Sequence, residues 1–133
     1  MLEVQIALNR GNFELQLGFC LAECGIAVIF GPSGSGKTSL INCIAGLETP
    51  DAGRIVCHGE TCFDSQQGIN LPPEKRRLGY VFQDARLFPH LSVRDNLSFG
   101  LRFHAAQHPL AAPNVDDVAD LLDIGSVLHR RPA

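Results

Sequence analysis

The chain has 133 residues, a formal net charge of −3, and 45% apolar and 19% charged residues. That is the size and balance of one soluble domain with a single hydrophobic core. The charge gives no basic field of the kind nucleic-acid binding requires, so no nucleic-acid partner is expected. No apolar run approaches the roughly 20 residues that span a bilayer.

The N-terminal "MLEVQIALNR" lacks a basic leader region and does not read as a signal peptide. The cysteines Cys20, Cys24, Cys43, Cys57 and Cys62 are odd in number and accompany no secretion signal, which predicts a reduced, cytosolic setting. The Cys20/Cys24 and Cys57/Cys62 spacings would admit a metal. Neither pair lies near a second pair or a well-spaced histidine pair, so buried or half-buried thiols are expected instead.

Leu2, Val4, Ile6 and Leu8 alternate with polar residues, as do Phe13, Leu15, Leu17 and Phe19. With the turn residues "NRGN" between them, 2–19 is predicted to be an antiparallel hairpin. "GIAVIF" (25–30) is apolar without a break, which suits a central strand of a parallel sheet buried on both faces. Leu40, Ile41, Ile44 and Leu47 follow at helical spacing, stopping at "TPDAG" (49–53).

"RIVCHGETCF" (54–63) reads as two short strands around Gly59, and "NLPPEKRR" (70–77) as a polar excursion whose Lys75, Arg76 and Arg77 form a solvated face. "LGYVF" (78–82) reads as a second buried strand. Ser92-Val93-Arg94-Asp95 fits a capping box, opening a helix that contains Leu97, Phe99 and Leu101. "HAAQHPLAAPN" (104–114) is read as a linker, and Val115, Val118, Leu121 and Leu122 as one face of a last helix.

The central motif is Gly31-Pro32-Ser33-Gly34-Ser35-Gly36-Lys37-Thr38, which satisfies G-x-x-x-x-G-K-[ST]. Glycines let the backbone bend so that successive N–H groups face a phosphate. The helix starting near Lys37 aims its positive end into the same space. Lys37 adds a mobile charge for the β- and γ-phosphates, the Thr38 hydroxyl suits Mg²⁺, and Ser39 completes the predicted nucleotide-binding set. A chance match in a chain of this length has a probability on the order of half a percent. The motif also sits between a buried-strand pattern and an amphipathic helix.

The stretch "PPEKRRLGYVFQDARLFPHLSVRDNL" (72–97) and the segment "GLETPDAGRIVCHGE" (46–60) resemble the ATP-binding cassette (ABC) ATPases, and most closely the ATP-binding subunits of molybdate importers. The resemblance runs from about residue 2 to the last residue. It implies an α/β P-loop NTPase fold, specifically a partial nucleotide-binding domain. An antiparallel hairpin would accompany an incomplete parallel sheet core, with 1–84 as the ATP-binding part and 85–133 as the start of the helical subdomain.

The resemblance also implies that Gln83 is the Q-loop glutamine, a catalytic position that meets Mg²⁺ or the attacking water. ATP and Mg²⁺ are the implied cofactors, the latter held by Thr38 and Gln83. Residues 85–105 would meet a membrane permease, and a second cassette would complete a homodimer. The implied location is the cytoplasmic side of the membrane, peripherally bound. Arg86, Leu87, Phe88, Pro89 and His90 form the implied docking tip, although Leu87 and Phe88 read equally well as core. The family stacks adenine on an aromatic near the first hairpin turn; "NRGN" has none, and Phe13 is the nearest candidate.

The family's Walker B strand, Leu-Ser-Gly-Gly signature and switch histidine have no match here; "VADLLD" (118–123) has helical spacing and Ile124 in place of the catalytic acid. The chain thus reads as the N-terminal half of a cassette, able to bind ATP and weak or inactive in hydrolysis alone. Rival readings are a cassette serving another solute (sulfate, phosphate, iron), a P-loop kinase for a small molecule, and a non-hydrolysing nucleotide-binding fragment.

Overall fold

The computed structural model describes residues 1–11, 13–22, 25–101 and 114–132 and contains two compact units, Met1–Val81 and Phe82–Ala133. In the first, β1 (Leu2–Asn9) and β2 (Glu14–Leu21) form the hairpin that the alternation predicts, in register from Leu2↔Leu21 to Asn9↔Glu14. β3 (Ala52–Cys57) pairs with the other side of β1. β4 (Glu60–Asp64) and the short β5 (Ile69–Asn70) complete a five-stranded antiparallel sheet of order β2-β1-β3-β4-β5.

The pleat sends alternate residues to opposite faces, so Val4, Ile6 and Leu8 of β1 point the same way. They join Ile55 and Cys57 of β3, Cys62 and Phe63 of β4, and Leu40 and Cys43 of α1 (Lys37–Ala45) in one buried cluster. Leu15, Leu17 and Phe19 of β2 pack partly buried against it. The core therefore anchors the helix that follows the phosphate loop.

The C-terminal end of α1 is held by a residue that the sequence reading placed in solvent. Gly46 ends the helix in the left-handed region at φ 81°, and a Cβ there would lie 2.6 Å from Arg76 Nε. Arg76 is 2% exposed. Its Nη1 donates to Cys43 O (2.8 Å) and Ile44 O (3.0 Å), Nε to Leu71 O (2.8 Å) and Nη2 to Asn70 Oδ1 (2.9 Å). The last carbonyls of a helix lack intrahelical donors and carry its negative end. A guanidinium with five donors answers both needs, while Lys75 and Arg77 remain exposed as expected.

The two segments expected as buried parallel strands, 25–30 and 78–82, take part in no strand pairing among the described residues. Ile26, Phe30 and Val81 are 97%, 99% and 95% exposed. An all-apolar strand is buried only when ladders flank it and helices cover both faces. The five paired strands here form the antiparallel layer alone, so the parallel part of the core is incomplete. Tyr80 nevertheless reaches α1, its hydroxyl donating to Asn42 Oδ1 at 2.8 Å.

In the second unit α2 (Val93–Ser98) opens on the expected capping box. Ser92 Oγ accepts from Asp95 N at 3.1 Å, and the Asp95 carboxylate accepts in return from Ser92 N at 3.4 Å. The helix is shorter than the sequence predicts, with Phe99 at its C-cap instead of inside. The Phe99 ring packs on Phe88, with centroids 4.4 Å apart.

α3 (Val115–Leu121) is capped by Asn114, whose side chain accepts from Asp116 N at 3.1 Å. It turns Val115, Val118 and the buried Ala119 inward but leaves both Leu121 and Leu122 exposed, contrary to the expected face: at about 100° per residue Leu121 points away from that face, and Leu122 falls at the C-cap. An Arg94–Asp116 ion pair links α2 to α3. The linker reading of 104–114 lies outside the described residues except at Asn114.

Candidate functional site

Residues 31–39 come together as a loop entering α1. Gly36 is the N-cap at φ 86°, and Gly34 also lies in the left-handed region at φ 80°. No side chain caps the helix, so the N–H groups of its first turn, Lys37, Thr38 and Ser39, form a positive, donor-lined end.

Lys37 Nζ donates to Gly31 O (2.8 Å), Pro32 O (2.5 Å) and Ser35 Oγ (3.3 Å), which keeps the ammonium against the loop backbone. Ser35 N closes the turn on Pro32 O at 3.3 Å. Pro32, Ser33, Gly34 and Thr38 are exposed, and Gly31, Ser35, Gly36, Lys37 and Ser39 are half-buried. The loop thus has an open mouth and oriented N–H donors that could take an anion, while the ammonium expected to be mobile has its three N–H groups engaged by the loop itself.

The Thr38 hydroxyl takes no partner among the described residues and is exposed at the first turn of α1. A hard oxygen donor beside a phosphate cradle fits Mg²⁺, which takes one or two protein oxygens and completes its shell with phosphate and water. Gln83, the other predicted ligand, is an exposed residue at the start of the second unit. In the same unit the Arg86 guanidinium lies 4.3 Å over the Phe82 ring.

Leu87 and Phe88 are both exposed, so the core reading does not hold for either, although the Phe88 ring packs on Phe99. Asn96 shapes this tip: its Oδ1 accepts from Phe88 N (2.8 Å), and its Nδ2 donates to Phe88 O (3.1 Å) and Ser92 O (2.9 Å).

Phe13 is set beside the loop. A Cβ on Gly36 would lie 2.4 Å from Phe13 Cζ and 3.0 Å from Cε1, so the ring edge rests on the glycine backbone. Sequence reasoning missed the burial of Arg76. Besides the nearby Asn70 and Leu71, Arg76 reaches the carbonyls of Cys43 and Ile44, 33 and 32 residues away, and no local pattern announces those. Among the cysteines, Cys43, Cys57 and Cys62 are buried free thiols as expected, Cys20 is exposed, and Cys24 lies outside the described residues. Burial pushes the Cys43 thiol up to about 11, and burial together with a hydrogen bond to Cys62 pushes Cys57 up to about 12.

The model of the ABC transporter family matches residues 15–133. The molybdenum import ATP-binding protein ModC of Rhodospirillum rubrum is 49% identical over 134 residues, covering 100% of this chain and 35% of the relative. The protein of the same name from Paramagnetospirillum magneticum is 50% identical over 133 residues, covering 100% and 36%. The chain therefore spans about a third of the length of the curated relatives it matches.

Two solved structures share its fold. The ATP-binding cassette MJ0796, a dimer in a post-hydrolysis state bound to ADP and Pi, superposes with a TM-score of 0.68 at 22% identity, covering 99% of this chain and 62% of that one. CbiO1 from Clostridium perfringens, part of the ABC transporter complex cbiONQ, gives 0.69 at 24%, covering 98% and 53%. The antiparallel sheet, loop and helix described above are thus part of a cassette fold.

Proposed function

The chain belongs to the ABC transporter family, and from that membership we propose that it is the ATP-binding part of an importer ATPase for molybdate. The observation that supports this reading is the loop at 31–39, which brings the Lys37 ammonium and the uncapped first N–H groups of α1 together at one open mouth. Relatives about 50% identical over the whole chain, named molybdenum import ATP-binding proteins, support the cargo.

In this reading the backbone of 33–38 and Lys37 bind the phosphates of ATP, and Thr38 with Gln83 holds Mg²⁺, which would neutralise phosphate charge. Gln83 orients the attacking water as a neutral carboxamide that does not compete for its proton. In the whole protein two cassettes pair as a homodimer, hydrolysis resets the importer, and residues 85–105 meet the permease at the inner face of the membrane. The homodimer has a parallel in the dimeric cassette of similar fold. No described helix is long and apolar enough to cross a membrane.

Titration calorimetry of the 133-residue chain with Mg-ATP tests the binding step. A saturable heat, weakened about tenfold to a hundredfold by Lys37→Ala, is expected when one charge-assisted contact is lost. Absence of binding overturns the reading. Steady-state phosphate release at millimolar Mg-ATP should stay near background, since the sequence supplies no Walker B acid and no signature. Turnover that Lys37→Ala abolishes would refute that division of labour.

A further inference from the structure

We propose that Arg10 is a positioning residue for the base-facing wall of the nucleotide site, acting through the turn that carries Phe13. The proposal rests on the nucleotide-binding reading above and adds a residue to it. Two hydrogen bonds shape the turn: Arg10 N donates to Phe13 O at 2.8 Å, and Gly11 N to Asn9 Oδ1 at 3.0 Å.

The Arg10 side chain ties this turn to the segment that follows α1. Nε donates to Glu48 Oε1 (3.0 Å) and Nη2 to Thr49 O (3.3 Å), while Nη1 donates to Asn9 O (2.8 Å) and lies 3.5 Å from Asp51 Oδ2. Asp51 Oδ2 also accepts from Asn9 N at 2.6 Å. One turn therefore reaches both ends of the helix. Arg10 is fastened to residues 48–51 past its C-terminus, and Phe13 lies on Gly36 at its N-terminus.

Folding energy does not explain so many contacts. The Arg10 side chain is 43% exposed, and exposed ion pairs add little to stability. Orientation does explain them. A phenyl ring edge-on to Gly36 sets an aromatic surface beside the loop that would hold the phosphates, and bases stack on aromatic rings whatever their identity. Arg10 fixes that ring from the far side of its turn, away from the phosphates.

Calorimetry with two ligands, Mg-ATP and Mg-tripolyphosphate, separates the base from the phosphates. Arg10→Met should weaken ATP binding roughly five- to tenfold, part of one base stack, and leave tripolyphosphate binding within about twofold. Arg10→Lys should recover part of the loss. Phe13→Ala should reproduce it, and adding Arg10→Met to Phe13→Ala should cost nothing more.

Should Arg10→Met fail to fold by circular dichroism, Asp51→Asn loosens the other end of the same clamp and should show the same split between ligands. Equal losses for both ligands, or an undiminished Arg10 effect in the Phe13→Ala background, overturn the proposal. A wild-type chain that binds neither ligand refutes the nucleotide-binding reading. A chain that binds both ligands with equal affinity keeps the phosphate cradle and refutes only the role of Arg10.

Discussion

Replacing Gly36 by alanine would set a Cβ 2.4 Å from Phe13 Cζ and 3.0 Å from Cε1, at a backbone φ of 86°. Two separable costs follow. An L-residue held in the left-handed region costs about 1–2 kcal/mol, and forcing a methyl group into an occupied space costs about 1–3 kcal/mol. Gly36→Ala should therefore destabilise the first unit by about 2–5 kcal/mol. Phe13→Ala opens the space but leaves the backbone conformation unchanged, so only the steric share should be recovered in the double variant. The coupling in a double-mutant cycle should be about 1–3 kcal/mol in favour of the pair. Urea denaturation followed by circular dichroism gives all four stabilities. A Gly36→Ala variant that loses less than about 1 kcal/mol, or strict additivity with Phe13→Ala, would refute the contact and the argument built on it.

Arg76→Met removes the donors to Ile44 O and Leu71 O and one of the two to Cys43 O, which keeps Gly46 N at 3.2 Å; acceptors left unpaired cost about 1–3 kcal/mol each where water cannot replace the donor. A loss on the order of 3 kcal/mol in urea denaturation is expected, and a change below 0.5 kcal/mol would count against that burial. Alkaline pH should destabilise the first unit. The folded-state thiols of Cys43 and Cys57 stand at about 11 and about 12 against an ordinary 9.0, so the unfolded chain ionises first. Their contribution is fully present below about pH 9 and is lost as pH rises through about 11 and 12. Denaturation midpoints at pH 8 and pH 10.5 check the sign, and a higher midpoint at pH 10.5 would reverse it.

Local pattern carried most of what the sequence reading recovered. The alternation of Leu2, Val4, Ile6 and Leu8 fixes which side of β1 faces the core, because the pleat has a period of two. The glycine spacing before Lys37 located the loop, and Ser92 with Asp95 located the start of α2. Arg76 was illegible because its burial depends on the carbonyls of Cys43 and Ile44, far away in sequence. The apolar runs at 25–30 and 78–82 disclosed what environment each segment suits. Whether a neighbouring strand supplies a ladder is a tertiary fact that periodicity does not contain. Arg10 was hidden for a related reason: its acidic partners Glu48 and Asp51 sit in a turn whose sequence speaks only of chain reversal.

The unpaired segment at 26–30 leads directly into the phosphate loop, while α1 on the loop's other side is anchored in the core. The loop is thus tied to the core through α1, while the segment on its other side pairs with no strand among the described residues. Fixing one backbone residue costs about 1–2 kcal/mol of conformational entropy, so any process that lays 26–30 into a sheet settles that cost before a phosphate arrives. Nucleotide affinity and strand pairing should therefore be thermodynamically linked. A segment docked together with ligand would show its burial as a more negative heat-capacity change than an anion in a finished cradle gives.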